Sequence, residues 1–297
     1  MTKLLLALSL FFSGNVFAEQ IIIPGPEPVL IKGTPADPTE WPASVYAQMG
    51  NSRCTATVVG ESVLLTAAHC VSNGGTAKFS VGPHQYSSKC THSPHYRGNA
   101  TADWALCQVD GKVGGIKFEN VNTDPELYKV GDELLLTGYG CIRPGGGGGN
   151  DGTYRIGKAK IKRLSSGNDN DIVTYQGAAL CFGDSGGPAF FVKEKDRYVV
   201  SVNSRGDIST TSYLVAVATD QFTNFSKDWL SKTGLKICGL SKDATNCRTS
   251  TPPLPEGKDF EIDTEVASLK GTVKAQYLDY FDNIVSVMTE FLNSFKE

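Results

Sequence analysis

A serine hydroxyl attacks a carbonyl well only when a base takes its proton, and an imidazole serves as that base when an acid fixes its tautomer and orientation. The chain offers one well-set residue for each part. Ser185 lies in Gly183-Asp184-Ser185-Gly186-Gly187-Pro188, where small residues leave backbone N–H groups free to face a developing oxyanion, with Gly183 and Ser185 as the donors. Of the four histidines, His84, His92 and His95 lie in a polar stretch without a strand pattern, whereas His69 ends the apolar run Leu64-Leu65-Thr66-Ala67-Ala68. Asp103 stands at the entrance of a second apolar run, Trp104-Ala105-Leu106-Cys107. A Gly-Asp-Ser-Gly-Gly string by itself suits an ordinary turn. With His69 and Asp103 ahead of it, in the order His, Asp, Ser, it points to acyl transfer.

Such residues need rigid supports, and short runs rich in Val, Ile, Leu, Phe and Tyr recur between turn clusters. They cover residues 44–49, 55–59, 63–67, 77–81, 104–109, 133–139, 155–164, 172–175, 188–192, 198–203 and 213–219. This spacing predicts an all-β sandwich or barrel. Lys158, Lys160, Lys162 and Arg163 alternate with Ala159 and Ile161, the pattern of a strand with one solvated face. Gly145 to Gly149 reads as a loop, because strand-like sequence continues on both sides. Phe222, Phe225 and Trp229 have helical spacing over 221–230, ending before Gly234.

The composition changes after Cys247. Pro252, Pro253, Pro255 and Gly257 mark a linker over 248–263, and Val266, Leu269, Val273, Tyr277, Phe281, Ile284 and Met288 then recur every three or four residues. This predicts an amphipathic helical extension over 264–297, weakened at Gly271, that packs within the chain or supports self-association. Its polar face carries more acids than bases, unlike a helix that lies on anionic membranes. At the other end, Lys3, the apolar run from Leu4 to Phe12 and Val16-Phe17-Ala18 form a signal peptide over 1–18. That run is too short to span about 30 Å of hydrocarbon. The expected destination is the periplasm or the exterior, with no transmembrane span.

A net charge of −3 gives no electrostatic basis for nucleic-acid binding. Eight cysteines in an exported chain favour disulfides over thiols or metal ligands, although Cys90, His92, His95 and Cys107 have a spacing that a metal accepts. No metal or cofactor is expected. The sequence by itself leaves the pairing open.

Thr66-Ala67-Ala68-His69-Cys70, Asp103-Trp104-Ala105-Leu106, the Gly-Asp-Ser-Gly-Gly-Pro run, Ile31-Lys32-Gly33-Thr34 and Thr137-Gly138-Tyr139-Gly140 together resemble the chymotrypsin-like (trypsin-like) serine endopeptidases. The matches run from Ile31 to Lys236. The resemblance implies a domain over 31–247 with two six-stranded antiparallel barrels and a C-terminal helix. His69 and Asp103 would come from the first barrel and Ser185 from the second, acting on protein or peptide substrates. A catalytically silent homologue serving as a binding or adhesion module is the alternative.

The resemblance also implies a Cys54–Cys70 bridge beside His69 and brings Cys141 near Cys181, leaving Cys90 with Cys107 and Cys238 with Cys247. A calcium loop would lack its charged ligands, because no carboxylate lies between Glu61 and Asp103. Activation would free the amine of Ile31 to pair with Asp184, making residues 19–30 a propeptide. Leu30 stands before that cut, which does not suit a trypsin-like activator. The primary pocket would be formed by Ala179, Leu180, Ser201, Val202, Asn203 and Ser212. With no acid at Ala179, small or medium aliphatic residues are expected to precede the cleaved bond, unless the nearby Asp207 reaches the pocket.

Overall fold

The computed structural model describes residues 30–149 and 151–248. The signal peptide, the propeptide apart from Leu30, the linker apart from Arg248, and the helical extension lie outside the described residues.

The strands are β1 (Thr34–Pro35), β2 (Ser44–Met49), β3 (Ser52–Gly60), β4 (Val63–Thr66), β5 (Thr76–Val81), β6 (His84–His92) and β7 (Ala105–Val109). They continue with β8 (Glu133–Gly138), β9 (Arg155–Arg163), β10 (Asp171–Gly177), β11 (Pro188–Lys193), β12 (Asp196–Gly206) and β13 (Ser212–Ala216), followed by helix α1 (Asp220–Thr233). The first barrel closes in the order β2-β3-β4-β7-β6-β5. The second runs β9-β10-β13-β12-β11-β8 and closes through β8–β9, with β1 added beside β9. Both are antiparallel throughout. The two-barrel expectation holds.

Alternation explains most strands: in β5, Ala77, Phe79 and Val81 face inward while Thr76, Lys78 and Ser80 face water. The polar stretch around His84 and His92 is the exception, since the structure makes it the nine-residue strand β6. Its inward positions include the small residues Ser88 and Cys90, and pairing with β5 and β7 on both sides imposes the extended form that side-chain type does not. Cys90 lies directly opposite Cys107, to which it is bonded, so neither thiol is free for a metal.

The remaining bridges are Cys54–Cys70, Cys141–Cys181 and Cys238–Cys247. The first ties β3 to the 3-10 turn Ala68–Cys70 that carries His69, and by chain entropy such a loop stabilises by roughly 3 kcal/mol. Helix α1 begins where the Thr219 hydroxyl accepts from Phe222 N–H and ends at Gly234 in the left-handed conformation. Phe222 packs on Trp104 with ring centroids 5.5 Å apart, buttressing the residue that follows Asp103.

Several hydrogen bonds fix one barrel against the other. The Thr55 hydroxyl of β3 donates to Gly183 O at 2.8 Å, and Thr55 N–H donates to Ser185 O at 2.9 Å. The Tyr139 hydroxyl donates to Ser44 O at 3.0 Å. The first two hold the Gly183–Ser185 loop of the second barrel directly on a strand of the first.

Candidate active site

His69, Asp103 and Ser185 line one cavity of about 390 Å³, together with Tyr96, Leu180, Phe182, Ser204, Arg205 and Ile208. Asp103 is buried, and its carboxylate receives three hydrogen bonds. Oδ1 accepts from His69 N–H at 2.8 Å, while Oδ2 accepts from His69 Nδ1 at 2.6 Å and from the Ser204 hydroxyl at 2.7 Å. An ionised carboxylate only accepts, so Nδ1 carries the imidazole proton and the lone pair of neutral His69 is on Nε2. Ser185 Oγ donates to Ser204 O at 3.4 Å rather than to His69. Nucleophile–base bonds are commonly long or unmade before substrate binds.

Cys181 to Asp184 form a tight turn, with Asp184 N–H donating to Cys181 O at 3.1 Å and Gly183 at φ 103, a conformation that glycine adopts without strain. Cys141 N–H donates to Phe182 O at 2.9 Å. The C=O and N–H of a trans peptide point opposite ways, so this bond aims Gly183 N–H away from Cys141. Among the described residues no group accepts from Gly183 N–H or Ser185 N–H. Two donors therefore remain uncommitted next to the Ser185 hydroxyl.

Asp184 is fully buried and accepts from Gly140 N–H at 2.8 Å and Cys181 N–H at 2.9 Å. Burial pushes its carboxyl up to about 7, against the opposing effect of those two N–H groups and of Arg155. Glycine at 140 is required by this approach, since a Cβ there would lie 2.6 Å from the carboxylate. Ile31 is buried against Cys141, Ala179 and Cys181 in the same region. Among the described residues no cation pairs with Asp184.

The pocket residues divide. Leu180 reaches the cavity wall, and its N–H donates to Ser212 Oγ at 2.9 Å. Ala179 and Ser212 are fully covered behind it. Ser201, Val202 and Asn203 do not line the cavity: they are core residues of β12, and the Asn203 amide donates to Thr137 O at 2.8 Å. The cavity is lined instead by Ser204, Arg205 and Gly206, three residues further on. The β12–β13 ladder has a register shift between Asn203 and Arg205, at the point where β12 passes from the core to the cavity. The Ser-x-Gly spacing, present at 204–206 and absent at 201–203, was the available signal.

Ile208 was also missed. It lines the cavity, packs on the cluster of Ile31, Cys141, Ala179 and Cys181, and has φ 54, which is strained for a β-branched residue. Its carbonyl accepts from Gly145 N–H at 3.0 Å, so the glycine run anchors this wall. Asp207 turns away: its carboxylate accepts from Ser209, Thr210 and Thr211 N–H and from the Thr210 hydroxyl. Burial raises that carboxyl, but these hydrogen bonds outweigh it and hold it at about 2.

Two antiparallel barrels with a His–Asp pair facing a serine across their cleft define a serine endopeptidase of the chymotrypsin-like fold. The trypsin family matches residues 30–229, and the chain belongs to that family. It is 28% identical to a trypsin-like protease of Streptomyces glaucescens over 67% of this chain and 80% of the relative. It is 26% identical to "Trypsin, alkaline C" of Manduca sexta over 59% of the chain and 81% of that protein. Transmembrane protease serine 11E of Mus musculus is 24% identical over 60% of the chain, a match that spans 48% of that relative. Among the described residues no helix is long and apolar enough to cross a membrane.

Proposed function

We propose that this chain is an exported serine endopeptidase that hydrolyses peptide bonds after small or medium apolar residues through an acyl-enzyme. Ser185 is the nucleophile, His69 Nε2 takes its proton and returns it to the leaving amine, and Asp103 holds the imidazole and stabilises its cation. Gly183 N–H and Ser185 N–H receive the oxyanion. Ser185 exchanges its bond to Ser204 O for one to His69 when substrate enters. Export rests on the expected signal peptide and on disulfide usage.

The observation that carries the specificity is a cavity walled by Leu180, Phe182 and Ile208, while Asp103 is committed to His69 and Ser204 and Asp207 to its own turn. A basic side chain entering there would be desolvated without a free carboxylate. Ile208, packed on the cluster of Ile31, Cys141, Ala179 and Cys181, narrows the cavity and disfavours large aromatic residues. A peptide library varied at the residue before the cut tests this. Preference for Ala, Val or Leu is expected, and preference for Arg or Lys overturns it.

Activation by release of the Ile31 amine agrees with a buried Asp184 that pairs with no cation among the described residues. The 30–31 bond is tucked away in the uncut form, because Leu30 is fully covered and its carbonyl accepts from Gly33 N–H. Leu30 and Lys32 both have positive φ, a strain that favours opening of this turn to a protease, including another copy of this enzyme if it accepts Leu. N-terminal sequencing of active material tests the point: a start at Ile31 is expected, and a fully active form beginning at Glu19 contradicts it. The silent-homologue reading draws on the unmade Ser185–His69 bond. It predicts no hydrolysis and no acylation of Ser185.

A further inference from the structure

We infer that Arg205 makes this protease select an acidic side chain two or three residues before the cleaved bond, an inference that rests on the endopeptidase reading above. Arg205 lies one residue beyond Ser204, whose carbonyl is 3.4 Å from Ser185 Oγ, and it lines the same cavity as His69 and Tyr96. At about 3.3 Å per residue, the second and third residues before a carbonyl held at Ser185 lie roughly 7–10 Å from it, within reach of the cavity wall that includes Arg205.

That guanidinium is held in place without being used up. Nη2 donates to the buried carboxylate of Asp171, Nη1 faces Ser204 Oγ at 3.4 Å, and the group lies 5.0 Å from the centre of the Tyr213 ring. The side chain is 42% exposed, and among the described residues Nε has no acceptor. A guanidinium has five N–H donors in a rigid fork, so donors remain for a carboxylate arriving from the cavity. Asp171 and Tyr213 have already fixed the fork, so little side-chain freedom is lost on binding. Asp103 is the carboxylate lining the cavity, and His69 and Ser204 occupy it. An acidic substrate residue therefore meets a cation, and a basic one meets repulsion.

The test uses the active full chain and peptides with one fixed apolar residue before the bond and Asp, Ala or Lys at the second and third preceding positions. The kcat/KM ratio of Asp to Lys peptides should be about tenfold for the wild type, the scale of a half-exposed charge pair, and should fall with added salt. Arg205→Gln should bring the ratio near one, and Arg205→Glu should invert it. Asp171→Asn removes the partner and leaves the guanidinium free, so the ratio should rise about twofold or more. A purely structural pair would instead lower Tm and leave the ratio unchanged. A flat wild-type ratio, or a ratio unaltered by Arg205→Glu, overturns the inference. Failure to cleave any of the peptides instead overturns the endopeptidase reading on which it rests.

Discussion

Replacing Asp184 with Asn tests the reasoning about the uncut chain, because the burial of this carboxyl has a signed consequence for stability. The ordinary value is 3.8 and burial pushes the folded value up to about 7. Between these pH values the folded form binds a proton that the unfolded form has released, so stability falls as pH rises, and the loss is complete above about 7. About three pKa units at about 1.4 kcal/mol each make this loss roughly 4 kcal/mol. An amide cannot ionise, so Asp184→Asn should abolish that slope. It retains an acceptor for one of the Gly140 and Cys181 N–H groups and presents its own N–H₂ to the other, a pH-independent penalty of about 1–3 kcal/mol. The assay is urea unfolding from pH 4 to 8.5, with both proteins in a Ser185→Ala background to prevent self-cleavage. The stability difference between Asp and Asn forms should change by about 4 kcal/mol across that range, the Asn form gaining at high pH. A difference that stays constant with pH refutes the argument. If the Ile31 ammonium pairs with Asp184 as proposed, the slope should disappear or reverse in material beginning at Ile31.

Ser204→Ala removes one of three hydrogen bonds to the Asp103 carboxylate and should lower kcat about tenfold with KM little changed, as read by steady-state kinetics on a fixed peptide. Glu119 is fully buried and faces Arg197, which stacks 3.8 Å from the centre of the Trp41 ring, and Arg248. Glu119→Gln leaves these arginines without their carboxylate and should destabilise by about 3–5 kcal/mol, seen as a Tm lower by roughly 10 °C, with turnover per folded molecule unchanged.

The parts legible in the sequence are those written in consecutive residues. Thr66 to Cys70, Asp103 to Leu106 and Gly183 to Pro188 each announce a side chain at the edge of an apolar element, and the structure groups His69, Asp103 and Ser185 around one cavity. Strands with one wet face, such as β5 and β9, were equally plain. β6 was not, because its neighbours rather than its residues make it a strand. The wall at Ser204 to Gly206 was legible in the Ser-x-Gly spacing, and placing it at Ser201 to Asn203 passed over that signal. The grip of Thr55 on Gly183 joins residues 128 apart and leaves no local trace. Ile208 stood inside a polar loop whose course depends on Asp207 capping it.

The role of Ser185 is tested most directly by treating the active protein with a fluorophosphonate, locating the adduct by peptide mass spectrometry, and measuring turnover of Ser185→Ala on the best peptide. One adduct is expected, on Ser185, with complete loss of activity, and a fall in kcat on the order of 10⁴ or more for the alanine variant. An adduct elsewhere, or near wild-type turnover without the Ser185 hydroxyl, contradicts it.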